Sequence, residues 1–381
     1  MLPEKFCSLP WLNMVIDTDG LVRPCCKYIT NFDTSKVYLE NDNLNKVYNS
    51  KFFIELRQKF LDGEKPLGCK ECWDHEDGNV ISLRQSYHKN FKNVDIDFYN
   101  THVDQPIGLD LKLMNVCNLK CKICSPWASS SLTKDYELLF NKKIPRANRL
   151  TEYKIYNTEN EEKIKDWAQK VQFIQMTGGE PMTNPENLKI ISILEENSDI
   201  GKKEVTINTN VTNWNQKLID KLLKFESVVF CLSIDDLEHR QEYHRYPSKW
   251  ADIEENVGKY LNLKNNYKNV VVTTNTTISI FNIFNLEELH DWTITKNINS
   301  HYTLLASPDK YSIQHLPDFA KDTLKKRIKS NVFKEALSFL NLPSNLNYHT
   351  ELLSDIKKWD EFRSQSFVEV YPEWSKIIGY T

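Results

Sequence analysis

The chain of 381 residues lacks the features that would place it in a membrane or on a nucleic acid. No apolar run reaches the roughly 20 residues that a transmembrane helix requires, so we expect no membrane span. The formal net charge is only −3, which argues against a polyanion-binding surface and against a specific nucleic-acid partner. The basic stretch 321–329 does not change this, and we interpret it as one solvated helix face.

The N-terminal segment lacks a secretion signal. Residues 1–6, Met-Leu-Pro-Glu-Lys-Phe, do not combine a positively charged segment with an apolar stretch. We therefore expect a cytoplasmic protein, in which thiols stay reduced and bind metal instead of forming disulfides. Glycine is scarce, with 10 residues, a bias to which we attach no mechanistic meaning.

Patterns of apolar residues divide the chain into three predicted regions. Residues 1–100 are broken by Asn, Asp and Gly into short pieces, including a hairpin at 16–22 and a helix at 51–61. Strands and helices then alternate over about 105–305, which indicates a parallel sheet with crossover helices, and residues 306–381 are mostly helical. The six strands are predicted at 108–115, 171–177, 204–209, 228–235, 269–279 and 301–305.

Two further expectations concern the surroundings of the predicted sheet. The long excursion at 141–166 separates the first helix from the second strand, and we interpret it as a substrate lid. The helical C-terminal region is expected to pack on the sheet through four aromatic residues, Trp359, Phe362, Phe367 and Trp374.

Three of the nine cysteines lie on one loop directly after the first predicted strand. Cys117, Cys121 and Cys124 have C-x3-C-x2-C spacing, with no fourth thiol nearby. A structural zinc site requires four ligands, and an electron-transfer iron–sulfur cluster is usually held by four cysteines. Three thiolates on one loop therefore indicate a cluster with one metal left open for chemistry, with a labile zinc knuckle or a chance grouping of thiols as the alternative.

A glycine pair follows the second predicted strand. Gly178 and Gly179 stand directly before Glu180 and Pro181. Two glycines allow the backbone to approach a ligand closely, and a neighbouring carboxylate can hold a cation. Because glycines also mark ordinary strand-to-helix turns, the pair alone does not identify a site.

In their order and spacing, the two motifs resemble those of the radical S-adenosylmethionine (radical SAM) enzymes. The resemblance implies an α/β fold, a partial (β/α)6 TIM-like radical SAM barrel over 105–305, with the motifs at the C-terminal ends of its strands. It implies that the three loop cysteines hold a [4Fe–4S] cluster whose free iron chelates SAM. The Gly-Gly-Glu segment then corresponds to the one that binds the amino group of SAM.

Polar residues at the ends of the next two strands resemble further SAM contacts of that family. Asn210 resembles the polar strand end that meets SAM, although Val211 stands where the family usually has glycine. Ser233 and Asp235 share one face of the fourth strand and resemble the Ser-x-Asp that reaches the SAM ribose. Cys231 lies on the same face, where we interpret it as core packing, with hydrogen-atom donation as the alternative.

Two more positions complete the predicted SAM pocket. Arg245, in preference to Arg240, resembles the arginine that binds the SAM carboxylate, and its alternative is a solvated helix charge. Ile123 stands where the family commonly has an aromatic residue, so packing against adenine is expected to be aliphatic.

Five other cysteines lie within the first 72 residues. Cys7 and Cys25 form a C-x12-G-x4-C pattern, and Cys69 and Cys72 form a C-x2-C knuckle. Together they make one four-ligand site, for which the spacing fits zinc as well as iron–sulfur. The opening pattern resembles the SPASM/twitch module and so implies an auxiliary [4Fe–4S] cluster in a twitch-like N-terminal domain. Cys26 is either a spare thiol or the ligand in place of Cys25.

The resemblance implies a radical enzyme with a second cluster near its substrate. An electron from a donor such as flavodoxin or ferredoxin would reach SAM through the first cluster and produce a 5′-deoxyadenosyl radical, which abstracts hydrogen. The substrate is expected to be a peptide or protein residue or a small polar molecule. The auxiliary cluster would accept an electron or ligate that substrate. Glu71, Asp74 and Glu76 are candidate bases beside the knuckle, although ordinary surface charge is the preferred interpretation.

Two other classes of function stay open at this point. One is a scaffold derived from these enzymes, which binds a cluster or SAM without turnover. The other is a zinc-ribbon interaction protein that uses both cysteine sets structurally. Because the three loop cysteines, both glycines and Glu180 are all present, the sequence favours the enzyme.

Overall fold

A computed structural model describes residues 2–30, 37–38, 44–77, 81–90, 96–141, 143–144, 158–305 and 307–380. Its strands are β1 (Asn13–Ile16), β2 (Val22–Arg23), β3 (Gly108–Leu111), β4 (Phe173–Met176), β5 (Glu204–Thr209), β6 (Ser227–Leu232), β7 (Val270–Ile278) and β8 (Asn299–Leu304). Its α-helices are α1 (Leu9–Leu12), α2 (Leu44–Tyr48), α3 (Lys51–Leu61), α4 (Lys70–Asp77), α5 (Leu83–Asn90), α6 (Leu132–Phe140), α7 (Thr158–Ala168), α8 (Pro185–Asn197), α9 (Gln216–Leu222), α10 (Glu238–His244), α11 (Trp250–Asn266), α12 (Leu286–Thr295), α13 (Asp318–Arg327), α14 (Lys334–Phe339), α15 (Leu346–Arg363), α16 (Phe367–Val370) and α17 (Pro372–Ile377).

The strands form one sheet with the order β2-β1-β3-β4-β5-β6-β7-β8. β1 and β2 pair antiparallel and form the predicted hairpin. Parallel pairing joins β1 to β3, β3 to β4, β4 to β5, and β7 to β8. From β3 to β8, each strand is followed along the chain by at least one helix before the next. This confirms the predicted α/β class, a mostly parallel sheet consistent with a partial TIM-like barrel and followed by a helical C-terminal region.

The N-terminal region joins the sheet through β1, which the sequence did not predict. Met14 of β1 lies opposite Leu109 of β3 in parallel register. All four residues of β3 are buried, as expected for a parallel strand covered on both faces. Asp110 is thus a carboxyl inside an otherwise apolar strand.

The chain forms two compact units, the first of which comprises residues 1–116, 150–207 and 215–228. The predicted helix at 51–61 is α3, and its Arg57 is fully buried. The Arg57 guanidinium donates hydrogen bonds to the carbonyls of Pro10, Tyr48 and Thr101, at 3.0, 3.0 and 2.8 Å. One buried cation therefore ties three separate segments of this unit together.

The second unit comprises residues 117–149, 208–214 and 229–381. Trp359, Phe367 and Trp374 are buried in it, as predicted. The prediction for Phe362 was wrong, because 42% of this residue is exposed. The buried stripe of α15 includes Trp359 and Arg363, and Phe362 falls at its edge.

Most of the predicted lid at 141–166 lies outside the described residues. Its last part, from residue 158, belongs to α7. Along the part of the chain that the structure describes, no helix is long and apolar enough to cross a membrane.

Candidate active site and metal centres

The Gly-Gly-Glu segment forms a sharp turn after β4. Gly178 and Gly179 both have left-handed backbones, with φ of +76° and +56°. A Cβ at Gly179 would lie 2.2 Å from the Val116 carbonyl oxygen, and one at Gly178 would lie 2.7 Å from Cβ of Lys112. Both positions therefore require glycine, and the turn packs on the residues that lead into the cysteine loop.

Glu180 is fixed at the end of this turn and is 1% exposed. Its backbone N–H donates to the Val116 carbonyl at 2.8 Å, and its Oε1 accepts from the N–H of Met182 at 2.9 Å. A buried carboxylate held in one position suits the recognition of an amino group.

Replacing Gly179 with alanine is expected to lower the free energy of unfolding by more than the ~1–3 kcal/mol of a left-handed non-glycine residue, because the new methyl also clashes with the backbone. Gly258 provides a matched control: it lies inside α11, and a Cβ there meets nothing within 4 Å. Gly258→Ala should raise the free energy of unfolding by ~0.5–1 kcal/mol. Urea unfolding of the apoprotein measures both, and equal effects of the two substitutions would contradict the assignment of the turn.

The loop with Cys117, Cys121 and Cys124 is anchored by its backbone. The N–H groups of Lys120 and Lys122 donate to the carbonyls of Tyr246 and His244, at 2.6 and 3.0 Å. The three cysteines of the loop are partly buried. The loop is thus held against the segment that carries Arg245.

Asn210 lies at the cysteine loop. Its Nδ2 donates to Asn118 Oδ1 at 2.9 Å and lies 3.8 Å from the Sγ of Cys117. The next residue, Val211, has φ of +68°, the conformation that glycine favours. The backbone at Val211 therefore keeps the shape expected of the family's glycine, although a buried β-branched residue occupies it.

Asp235 and Arg245 form a buried ion pair, with Arg245 Nε 2.7 Å from Asp235 Oδ2. Asp235 Oδ1 also accepts the N–H of Thr277 at 2.8 Å. Burial alone would raise the pKa of Asp235, but Arg245 and the neighbouring His244 hold it below its usual range. Burial also lowers the pKa of His244 to about 4, so this imidazole is neutral near pH 7. Arg245 is thus not a solvated helix charge.

The predicted shared strand face of Cys231, Ser233 and Asp235 was wrong, because β6 ends at Leu232 and only Cys231 lies within the strand. Ser233 is half-buried, and its N–H donates to the Thr209 carbonyl at 2.8 Å. Cys231 is buried, and burial raises the pKa of its thiol. Arg240, the alternative to Arg245 for binding the SAM carboxylate, binds Asp236 and Glu288 instead, at 2.8 Å each.

The loop thiols are suited to bind the positively charged irons of a cluster. Burial raises the pKa of Cys121, and the neighbouring Cys124 and Cys117 raise it further, against the effect of Arg245. The pKa of Cys124 is raised to about 11 by burial and by Cys117. Thiols that raise each other's pKa become thiolates only when a cation joins them, as an iron cluster does.

No group of three or more His, Cys, Asp or Glu among the described residues is arranged to hold a single metal ion. A four-iron cluster has a different requirement, since each of its irons takes one thiolate and the thiols stand farther apart than around one ion.

Three of the N-terminal cysteines come together inside the first unit. Cys7, Cys25 and Cys72 are buried. Burial raises the pKa of Cys7 to about 12, and Cys72 contributes to that increase. The pKa of Cys25 is raised by burial and by Cys26, Cys7 and Cys72. Cys69, the fourth predicted ligand, is half-buried at the start of the knuckle.

The knuckle is brought to Cys25 by a close backbone contact. The Gly68 carbonyl accepts the N–H of Ile29 at 2.8 Å, and a Cβ at Gly68 would lie 2.4 Å from the Tyr28 ring. Only glycine fits there, which explains why this residue directly precedes Cys69.

Cys26 faces a different environment from Cys25. Cys26 is exposed as a residue, and the charged side chains that affect the pKa of its thiol are Asp110, Lys112, Lys27 and Arg23. Asp110 was missed by the sequence reasoning: it is 5% exposed, and its Oδ1 accepts from Thr177 Oγ1 at 3.2 Å. Burial raises the pKa of this carboxyl.

The three candidate bases beside the knuckle all have cationic partners. Glu71 binds Lys27, and Asp74 binds Lys70 on the surface of α4. Glu76 accepts from Arg84 Nη2 at 2.6 Å and from the Ser82 hydroxyl at 2.5 Å. Asp74 is thus an ordinary surface charge, as preferred, whereas Glu71 and Glu76 are partly buried in their ion pairs.

Comparison with protein families adds an independent observation. Residues 111–292 match the model of the Radical SAM superfamily, and residues 7–73 match SPASM, an iron–sulfur cluster-binding domain. This chain is a radical SAM protein with a SPASM-like cluster domain. It is accordingly an enzyme of the radical SAM superfamily, with [4Fe–4S] clusters and SAM as its cofactors.

Among solved structures, 31 chains are similar to this radical SAM protein. Native anSMEcpe with bound AdoMet has 17% identity and a TM-score of 0.41, covering 68% of each chain. Streptococcus suis SuiB bound to S-adenosylmethionine has 13% identity and a TM-score of 0.35, covering 87% of this chain and 73% of its own. We draw no conclusion about substrate from likenesses of this size. No curated protein matches the chain.

Proposed function

We propose that this radical SAM protein is an oxidoreductase or modifying enzyme that cleaves SAM reductively and abstracts hydrogen from its substrate. The observation that carries the proposal is the intact cysteine loop beside Arg245, in which Cys117 raises the pKa of both Cys121 and Cys124. When bound and reduced, the cluster supplies one electron to the sulfonium of SAM, which gives methionine and a 5′-deoxyadenosyl radical.

In this proposal, the residues of this chain bind the cluster and SAM and hold SAM in a fixed orientation. We assign cluster ligation to Cys117, Cys121 and Cys124. The predicted SAM contacts keep their roles in the proposal: Gly178, Gly179, Glu180, Asn210, Ser233, Asp235 and Arg245. Asn210 supports the loop, because its amide lies against the Sγ of Cys117. Asp235 orients the Arg245 guanidinium by accepting from its Nε.

We further propose that Cys7, Cys25, Cys69 and Cys72 hold an auxiliary [4Fe–4S] cluster that assists the reaction, within the predicted domain 1–100. The barrel would then occupy 105–305 and the helical extension 306–381. Burial of Cys25 beside Cys7 and Cys72 favours Cys25 over the exposed Cys26 as the ligand.

The Cys25→Ala and Cys26→Ala variants form a matched pair. Cys25→Ala should lower bound iron by about four atoms per chain, since a four-iron cluster loses a ligand, whereas Cys26→Ala should keep the wild-type content. Iron and sulfide are measured after anaerobic isolation. Loss of iron from Cys26→Ala alone would reverse the assignment.

Substrate class is tested by the stimulation of SAM cleavage. The reconstituted enzyme is given SAM, dithionite and either the peptide or the small-molecule fraction of a cell extract, and 5′-deoxyadenosine is quantified. We expect one fraction to increase its formation, which assigns a peptide or protein residue or a small polar molecule as the substrate. A protein that contains iron but forms no 5′-deoxyadenosine with any fraction would be the inert scaffold. A protein that contains zinc would be the zinc-ribbon alternative.

A further inference from the structure

The cysteine loop contains a buried lysine between two of its cysteines. Lys122 is 0% exposed, and its Nζ donates to Gln365 Oε1 at 3.0 Å. The ammonium lies 4.0 Å from the centre of the Tyr243 ring and 5.8 Å from that of Trp359. Burial among these neutral groups lowers the pKa of Lys122 well below its usual range.

A buried cation enters from the last residue of α15. The Arg363 side chain is 1% exposed, and its guanidinium lies 4.1 Å from the Trp359 ring and 4.7 Å from the Tyr246 ring. Among the described residues, none of its three nitrogens has a hydrogen-bond partner. The Asp135 carboxylate is 3.7 Å away and is shared with Lys120, which lies 2.8 Å from it.

Positive charge exceeds negative charge around this loop. The cations are Lys120, Arg245 and Arg363, and the carboxylates beside them are Asp135 and Asp235. Burial lowers the pKa of Lys122 well below its usual range and raises the pKa of Asp360, so both of these groups are shifted toward their neutral forms. Three cations thus face two carboxylates. Asp360 accepts from the Tyr243 hydroxyl at 2.7 Å and from the N–H of Phe367 at 2.7 Å, and burial raises its pKa.

An excess buried cation is costly unless an anion completes the site. The electrostatic neighbours of Arg363 include Cys121 as well as Asp135. A cluster with three thiolate ligands is an anion, and it gains one more negative charge on reduction. A fixed positive charge therefore stabilises the reduced form more than the oxidised form.

We propose that Arg363 is a positioning residue for the cluster on Cys117, Cys121 and Cys124, and that its guanidinium raises the reduction potential of that cluster. The C-terminal extension then sets how readily the cluster accepts its electron. This inference rests on the proposed function, because it requires the cluster on that loop.

The test is a potentiometric titration of the reconstituted holoenzyme followed by electron paramagnetic resonance. The signal that changes when SAM is added identifies the loop cluster. In Arg363→Met, the ratio of reduced to oxidised cluster at the wild-type midpoint should fall about tenfold, which is ~59 mV for one electron. Arg363→Lys keeps the charge and should stay within about twofold of wild type. Lys357→Met removes an exposed charge from the same helix and should match wild type.

Each outcome decides the proposal. An Arg363→Met variant with full iron and an unchanged potential overturns it, as do equal shifts in Arg363→Met and Arg363→Lys, because packing would then be the cause. If Arg363→Met retains no iron, Asp135→Asn decides, since removing that carboxylate should raise the reduced fraction and an unchanged fraction would contradict the inference. Failure of the proposed function is distinct, because it shows in the wild-type protein itself, which would then lack either the loop cluster or SAM cleavage.

Discussion

Replacing Cys121 with alanine is expected to abolish SAM cleavage and to lower bound iron from about eight to about four atoms per chain. The loss should be complete because the loop offers three thiols and no fourth. A cluster held by two thiolates has neither the ligands nor the charge to persist. Formation of 5′-deoxyadenosine by chromatography, together with an iron assay, measures both effects.

A control cysteine outside the loop tests whether the loss of iron and of SAM cleavage is specific to the loop cysteines. Cys231→Ala removes a buried thiol of the same unit that is not in the loop. It should keep both the iron content and the SAM cleavage of wild type. Cleavage of SAM by Cys121→Ala at the wild-type rate would show that the three-cysteine assignment is wrong.

Replacing Asp235 with asparagine is expected to lower the free energy of unfolding by about 3–5 kcal/mol and to abolish SAM binding. Asp235 is fully buried, and the Arg245 side chain is 13% exposed, so asparagine would leave a nearly buried guanidinium without its counter-charge. The N–H of Thr277 would also lose its carboxylate acceptor. Urea unfolding of the apoprotein measures the first effect, and equilibrium dialysis of the reconstituted protein with SAM measures the second.

A double variant separates the two effects. In Asp235→Asn with Arg245→Met, both charges are removed, so the loss of stability should be clearly smaller than the sum of the single losses. SAM binding should not return, because both groups belong to the proposed pocket. Asp199→Asn, which removes an exposed carboxylate, serves as the control with little effect on either quantity. Additive losses of stability would contradict a coupled pair.

The sheet and its motif positions were predictable because they depend on local patterns. The six predicted strands correspond to β3–β8, and the helix at 51–61 is α3. Alternation of apolar runs with helices gave the fold class, since it is the repeating unit of a parallel sheet. Glycines at 178 and 179 were informative for the same reason, because their left-handed backbones are a local requirement.

The charged surroundings of the site were not predictable, because they depend on contacts between residues distant in sequence. Arg363 lies more than 200 positions after Cys121, and nothing near it in the sequence distinguishes it from a surface arginine. Asp110 was hidden in an apolar run and acquires its character from burial beside Thr177. The place of Lys122 near the site could have been predicted, because a lysine between two ligand cysteines shares their surroundings.

The most direct test of the account is SAM cleavage by the anaerobically purified and reconstituted wild-type protein. It is given SAM and dithionite, 5′-deoxyadenosine is quantified by chromatography, and iron is counted per chain. We expect about eight irons, as two four-iron clusters, together with formation of 5′-deoxyadenosine. Zinc in place of iron, with no SAM cleavage, would contradict the account and leave structural metal binding as the role of both cysteine sets.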